Sequence, residues 1–476
     1  MSSDIYLPGW APDTGAQLAA YLASSVRQIS EWMAEYGGFT PHASLNVTTE
    51  AFDAAHRELI AKLRNNYPFF HPRYIGQMLK PPHPAAMVAY LTTMLINPNN
   101  HALDGGPATA QMEKEVVASL ATMFGYDNHL GHLTSSGTIA NLEALFIARE
   151  THPGLGIAHS TDAHYTHGRM SHLLGIQAHA VATDAVGRMD LDALERLLET
   201  RTVGTVVLTA GTTGLGAVDP IDQAVPLCRA HGVRIHVDTA YGGFFSLIAD
   251  DTADGVARAP FADIADCDSV VIDPHKHGLQ PYGCGAVLFR DPEVQRHYLH
   301  DSPYTYFTSD ELHLGEISIE CSRSGSAAAA LWLTLQLLPL TPEGLGAVLR
   351  PGRRAALAFT DAAAASSQLE AYQRPELDIA SYFPSATALS EIDRLSGHVL
   401  DAGMAAPPEE ALFVATYHVQ AAAMGARGHR FDADVSTGRI LRSVFMKPES
   451  EDSVPQLLSD IESLVSSARS PAAERS

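Results

Sequence analysis

The chain has 476 residues, 46% of them hydrophobic, and a formal net charge of −23 at pH 7. Such a length supports two domains with a sizeable core and room for an extra arm, and the acidic balance argues against a nucleic-acid surface. The four cysteines (Cys228, Cys267, Cys284, Cys321) form no C-x-x-C pair, which argues against a disulfide framework or a cysteine-rich zinc site and fits a reducing cytoplasm.

In chain order, the start Met1-Ser2-Ser3-Asp4 lacks the basic residues and apolar run of a signal peptide. Leu18, Leu22, Val26, Ile29 and Met33 form one stripe of a helix over 14–36, with Asp13 or Thr14 as N-cap and Gly37-Gly38 as the stop. Residues 65–83, rich in proline and aromatics, predict an ordered but irregular connector. Helices follow at 84–96 and 109–124, separated by the loop 97–107. The spacing then predicts a helix over 138–149, a strand over 203–210, a loop at 211–216, a helix over 221–231 and a strand over 233–238. Strands alternating with helices imply a mostly parallel sheet covered on both faces, with ligands beyond the carboxyl ends of its strands. Residues 327–340 are the longest apolar stretch; too short for a bilayer and broken by Thr334 and Gln336, they read as a buried helix, so no membrane association is expected. The expected organisation is an N-terminal helical arm (1–100), a large domain (101–345) and a small α+β domain (346–465) ending in a strand at 439–446 and a helix at 452–465. Residues 466–476 have the composition of a disordered tail.

Three features point to chemistry. Asp268–Arg290 reads as a buried strand (Val270, Val271, Ile272), a turn carrying His275-Lys276-His277-Gly278, and a second strand over 285–289. A lysine at a strand end suits covalent attachment of a carbonyl cofactor. Thr134-Ser135-Ser136-Gly137-Thr138 precedes a helix, where free N–H groups, a glycine and hydroxyls make either an anion site or an ordinary cap. No G-x-x-x-x-G-K-[ST] occurs, and loop 211–216 lacks the G-x-G-x-x-G order, so neither a nucleoside triphosphate nor a dinucleotide is indicated. Asp238 ends a buried strand, where a carboxylate needs a partner such as a protonated pyridine nitrogen, or serves as a helix cap. His159, His164, His167 and His172 have no accompanying carboxylate or cysteine pair at a ligand spacing, so no metal is expected. One of them stacked on an aromatic ring is the better reading, with His167 and His172 read as surface histidines.

These segments, together with Ser160-Thr161-Asp162-Ala163-His164, the run TAGTTGLGAVDP at 209–220, the run HVDTAYGG at 236–243 and Asp273-Pro274-His275-Lys276, occur in one order. The series closely resembles the group II pyridoxal-phosphate-dependent amino acid decarboxylases of fold type I, over nearly the whole chain. His71-Pro72-Arg73-Tyr74-Ile75-Gly76, residues 107–113, Ser322-Arg323-Ser324-Gly325 and Leu441-Arg442-Ser443-Val444 extend it. The resemblance implies pyridoxal 5'-phosphate bound as an internal aldimine on Lys276. Asp238 would pair with the pyridine nitrogen, Ala240 would contact one ring face and His164 would stack on the other. Ser136, Gly137, Thr138 and His275 would hold the phosphate, with Thr212 or Thr213 nearby. Asp273 stands where relatives often have Asn, and Ser136 where many have Gly. Tyr304 and Tyr306 both qualify as the catalytic tyrosine of a loop that returns a proton to Cα, with packing under the loop as the alternative for either.

The resemblance further implies a cytoplasmic homodimer with its active site at the interface, the N-terminal arm wrapping the partner and residues 103–109 reaching the neighbour's pocket. The reaction implied is loss of the α-carboxylate of an L-amino acid as CO2. A carbon–carbon lyase or a decarboxylating aldehyde synthase of the same superfamily is the alternative, and a non-catalytic cofactor-binding protein is the alternative of a different class. Arg442 is either a substrate-carboxylate partner or part of a structural ion pair.

Overall fold

The structure, a computed structural model, describes residue 11 and residues 14–298 and 312–469. Seven strands form the main sheet: β1 (Leu130–Thr134), β2 (Gly156–Ser160), β3 (Ala178–Val181), β4 (Val203–Thr209), β5 (Arg234–Asp238), β6 (Ser269–Ile272) and β7 (Gly285–Phe289), in the order β1-β7-β6-β5-β4-β2-β3. The pairs β2/β3, β2/β4, β4/β5 and β5/β6 are parallel. The sheet is therefore mostly parallel, as expected, with one reversed strand: β7 runs antiparallel to both β6 and β1. Every residue of β4, β5 and β6 is buried. Runs such as VGTVVLT and SVVI are apolar and β-branched because helices cover both faces of the sheet, leaving no side to face water.

A second sheet is antiparallel, with order β10-β11-β9-β8, built from β8 (Leu369–Gln373), β9 (Ile379–Pro384), β10 (Ala415–Gln420) and β11 (Thr437–Val444). The helices Leu345–Ala365, Leu389–Ala405 and Ser450–Arg469 pack on it around Phe359, Tyr382, Phe445 and Ile461. The apolar stretch read as a buried helix is the helix Gly325–Leu337, which lies against the helices Pro84–Met94 and Pro107–Met123. No helix among the described residues is long and apolar enough to cross a membrane.

At the N-terminus the expected helix runs Gly15–Ala34, and a further helix, Thr49–Leu63, starts where the Thr48 hydroxyl accepts from the Ala51 amide at 3.2 Å. Neither contains a single buried residue. Their apolar stripe, including Val26, Trp32, Met33, Phe52, Leu59 and Ile60, faces outward.

Candidate active site

The carboxyl ends of β4, β5 and β6 and the loop after β1 meet at a cavity of about 240 Å³. Ser136, Gly137, Thr138, His164, Asp238, Ala240, His275 and Lys276 all line it, with Asn141, Tyr165, Thr213, Tyr241 and Asp273. Thr212 does not. Its hydroxyl is turned inward to accept from the Ala217 amide at 3.0 Å, which shapes the loop and presents Thr213 to the cavity instead. Tyr304 and Tyr306 lie outside the described residues.

Asp238 is the last residue of β5 and is 5% exposed. Its Oδ2 accepts from His167 Nε2 at 2.9 Å and Asn141 Nδ2 at 3.3 Å, and its Oδ1 accepts from the Ala240 amide at 3.0 Å. Burial opposes its ionisation, but the His167 hydrogen bond and charge, with the Ala240 amide and Lys276, outweigh it and hold the carboxyl well below the usual range. His167 is thus no surface histidine; it is fully buried and supports the carboxylate. A second layer orients Asn141, whose Nδ2 also donates to the Gly137 carbonyl at 2.9 Å and whose Oδ1 accepts from His236 Nε2 at 2.9 Å. Burial pushes His236 down to about 3, so it is neutral, and its Nδ1 sits 2.9 Å from the Ser269 hydroxyl. Spacing along the chain gave no sign of His167 or Asn141, because helix turns bring them to Asp238 from 71 and 97 residues away.

Lys276 Nζ lies 3.0 Å from Asp273 Oδ2. The turn bearing it is held at both sides. His275 Nδ1 donates to the Cys284 carbonyl at 2.7 Å, leaving Nε2 3.6 Å from Asp273 Oδ2. Burial lowers the His275 pKa. His277 is buried, with Nδ1 donating to the Tyr241 carbonyl at 3.1 Å and Nε2 2.8 Å from Asp378 Oδ2, while Tyr241 donates its hydroxyl to Asp378 Oδ1 at 2.5 Å. Asp378, just before β9, therefore ties the smaller sheet to the lysine turn. Burial opposes its charge, but His277 and Tyr241 hold its carboxyl below the usual range.

The loop after β1 caps the helix Gly137–Thr151, whose first-turn amides have no partner within the helix. A Cβ at Gly137 would stand 2.6 Å from Asp273 Oδ2, and one at Gly285 2.7 Å from the Ser136 carbonyl carbon. Only glycine lets these three segments approach so closely. Gly137→Ala is expected to cost about 1–3 kcal/mol by overpacking, measured as a lower urea midpoint with an unchanged slope.

His164 Nδ1 accepts from the Thr166 amide at 3.3 Å and lies 2.7 Å from its hydroxyl, and the ring sits 4.2 Å from that of Tyr165. Burial lowers its pKa and so favours the neutral ring, which suits stacking on a cationic heterocycle. Among the described residues Arg442 does not form the ion pair considered for it. It is 6% exposed and donates to the carbonyls of Thr213 (2.6 Å), Gly214 (2.8 Å) and Gly76 (3.2 Å), so it braces the loop after β4.

These residues fit pyridoxal 5'-phosphate. A helix N-terminus with the Ser136 and Thr138 hydroxyls suits a phosphate, an ionised buried carboxylate suits a pyridinium, and an amine between them suits the aldehyde. Asp273 Oδ1, buried beside Gly137 and without a hydrogen-bond partner among the described residues, is the one element of the cradle that does not favour a phosphate.

A family profile described as "Pyridoxal-dependent decarboxylase conserved domain" matches residues 66–381. A probable L-tyrosine/L-aspartate decarboxylase of Methanothrix thermoacetophila is 31% identical over 288 residues, covering 59% of this chain and 70% of that protein. An L-tyrosine decarboxylase of Enterococcus faecium is 28% identical over 386 residues, covering 61% of this chain and 63% of that one. Among solved structures, Oryza sativa TDC with PLP and tryptamine superposes with a TM-score of 0.78 at 18% identity, over 97% of this chain and 100% of that one, a likeness of fold. The chain thus belongs to the pyridoxal-dependent decarboxylase family, as a pyridoxal-phosphate-dependent carboxy-lyase acting on an amino acid.

Proposed function

We propose that the cavity at the ends of β4, β5 and β6 decarboxylates an L-amino acid, with L-tyrosine and L-aspartate the first candidates because relatives carry those names. The observation that carries the reading is the convergence of Lys276, an ionised Asp238 and the helix N-terminus at Gly137 on one cavity. Bound there, the cofactor supplies an electron sink for the pair left on Cα when CO2 departs. Lys276 would hold the cofactor through its amine and would supply the amine that frees the product. Asp238 keeps the pyridine nitrogen protonated, and the donors from His167, Asn141 and Ala240 keep Asp238 an anion while it does so. His164 and Ala240, which both line the cavity, would flank the ring. Ser136, Gly137, Thr138 and His275 hold the phosphate, with Thr213 in the place considered for Thr212. Tyr304 and Tyr306 are the proposed proton donors to Cα.

The enzyme is further proposed to be a cytoplasmic homodimer, with residues 1–100 as its arm and 346–465 as its small domain. The outward apolar residues of the helices Gly15–Ala34 and Thr49–Leu63 support this, since they stay exposed among the described residues. Sedimentation is expected to give a dimer, and the double variant Trp32→Glu/Leu59→Glu to shift it toward monomer; a monomeric wild type sinks the idea.

The decisive assay incubates cofactor-loaded protein with a panel of L-amino acids and measures CO2 and amine. Aldehyde with peroxide, or carbon–carbon cleavage without CO2, would overturn the decarboxylase assignment. A separate expectation concerns Asp273, whose carboxylate abuts Gly137 and places negative charge beside the proposed phosphate cradle. Asp273→Asn keeps the shape and removes that charge, so the Kd for pyridoxal phosphate should fall about tenfold, or ~1.4 kcal/mol, in a spectrophotometric titration of the cofactor-free protein.

A further inference from the structure

Away from the active site, a cavity of about 470 Å³ opens between the connector before the helix Pro84–Met94, the start of the helix Leu345–Ala365 and the segment after β11. Two lysines line it. Lys447 is 4% exposed and donates to the Tyr74 carbonyl at 2.5 Å, with its Nζ 5.3 Å from the centre of the Tyr74 ring. Lys80 is half-buried and donates to the Met446 carbonyl at 3.2 Å. An ammonium carries three N–H groups, so one carbonyl each leaves donors unused, and neither lysine makes an ion pair among the described residues. Glu343 and Glu449 line the same cavity, but both are exposed at its rim. Asp378 is the remaining anion felt by Lys80, and it is occupied by His277 and Tyr241.

Two ammonium groups drawn from water, one half-buried and one buried, with only Asp378 and the exposed Glu449 attracting them and no ion pair among the described residues, are costly. The cost shows as a strong pull toward the neutral amine: burial lowers Lys80 to about 8 and Lys447 to about 7, the latter also repelled by Lys80. Either the amines lose their protons, or an anion joins them in the space beside them. The cavity supplies that space.

We propose that this cavity is a binding site for a small oxyanion, held by the ammonium groups of Lys80 and Lys447. Its position gives the site a regulatory reach. Leu279, which lines the wall, has φ +62°, in the left-handed region that a leucine rarely adopts, and it follows Lys276 by three residues. The Leu279 carbonyl accepts from the His83 amide at 2.9 Å, on the connector that also carries Lys80. An anion drawing Lys80 and Lys447 together therefore tightens the connector and the segment after β11 against the far side of the lysine turn.

The test uses the full-length protein loaded with pyridoxal phosphate, so that the cofactor fills its own phosphate cradle. Inorganic phosphate at pH 7 is expected to raise Tm saturably beyond sodium chloride of equal ionic strength. Lys80→Met and Lys447→Met should each weaken the midpoint concentration at least tenfold. On the wild type alone, phosphate should slow acylation of Lys80 and Lys447 by an amine-reactive reagent, mapped by peptide mass spectrometry, and sulfate should do the same. This second arm stands if the variants fail to fold. Unchanged acylation of both lysines, or a phosphate effect no larger than that of chloride, overturns the site, as does a folded double variant with the wild-type midpoint.

Discussion

Lys276→Ala is expected to lower kcat by on the order of 10⁴-fold or more, about 5.5 kcal/mol of barrier. The size follows from two losses at once: the covalent hold on the cofactor and the amine that later frees the product. The fold should survive, because Lys276 contributes one ion pair, to Asp273 at 3.0 Å, and the turn remains held by His275 on Cys284 and by His277 on Asp378. The check is borohydride reduction of the loaded protein followed by peptide mapping. Wild type should carry the cofactor at Lys276, and the variant nowhere. Label on another lysine in the wild type would remove Lys276 from its role.

The second large effect is expected at Asp238. Asp238→Asn should reduce kcat by about 10²- to 10³-fold, the magnitude typical of losing one preorganised charge contact to a reacting system. Asparagine fills the same space but cannot hold a proton on the ring nitrogen, and its amide group meets the donors of His167, Asn141 and Ala240. The sign of the pH dependence follows from the depressed carboxyl. A carboxylate with a lowered folded pKa contributes stability above its unfolded value near 4, and that contribution fades only as pH falls through the folded value. Between about pH 5 and 9 Asp238 stays charged, so any pH profile of kcat there must come from other groups. A kcat of Asp238→Asn within threefold of wild type would show that the ring nitrogen needs no carboxylate here.

Much of this site was readable along the chain because its main residues sit at ends of strongly patterned segments. Asp238 closes RIHVD, Lys276 follows SVVI, and Gly137 opens a helix. Buried strands with β-branched runs announce themselves, and a polar residue at their end stands out. The strands β1, β2 and β3 escaped notice because LGHLT, GIAHS and AHAV are short and mix histidine or glycine into the apolar pattern. Their identity comes from pairing rather than propensity. The same holds for the supporting residues. His167 gains its meaning only from Asp238, His277 from Asp378 across 101 residues, and Arg442 from carbonyls 228 and 229 residues away. No local spacing encodes such contacts. The helix Thr49–Leu63 was missed for the opposite reason: it has caps and an apolar stripe, but none of its residues is buried, so among the described residues the stripe is no core face.

The reversed strand β7 sets an order of assembly. It pairs with β6 across a short turn, Ile272 opposite Ala286, so the lysine turn closes through contacts near in sequence. On its other edge β7 pairs with β1, Leu130 opposite Phe289, a contact far apart in the chain and correspondingly slow to form. The helix cap at Ser136 leaves β1 directly, so the cradle reaches the lysine only when that distant pairing is made. During synthesis β1 and the cap at Ser136 emerge before Lys276, and a nascent chain stopped short of residue 285 has both segments but no β7 to join them. Closure of the cradle against the lysine turn then depends on β1 with β7, the pairing of greatest sequence separation in the main sheet among the described residues.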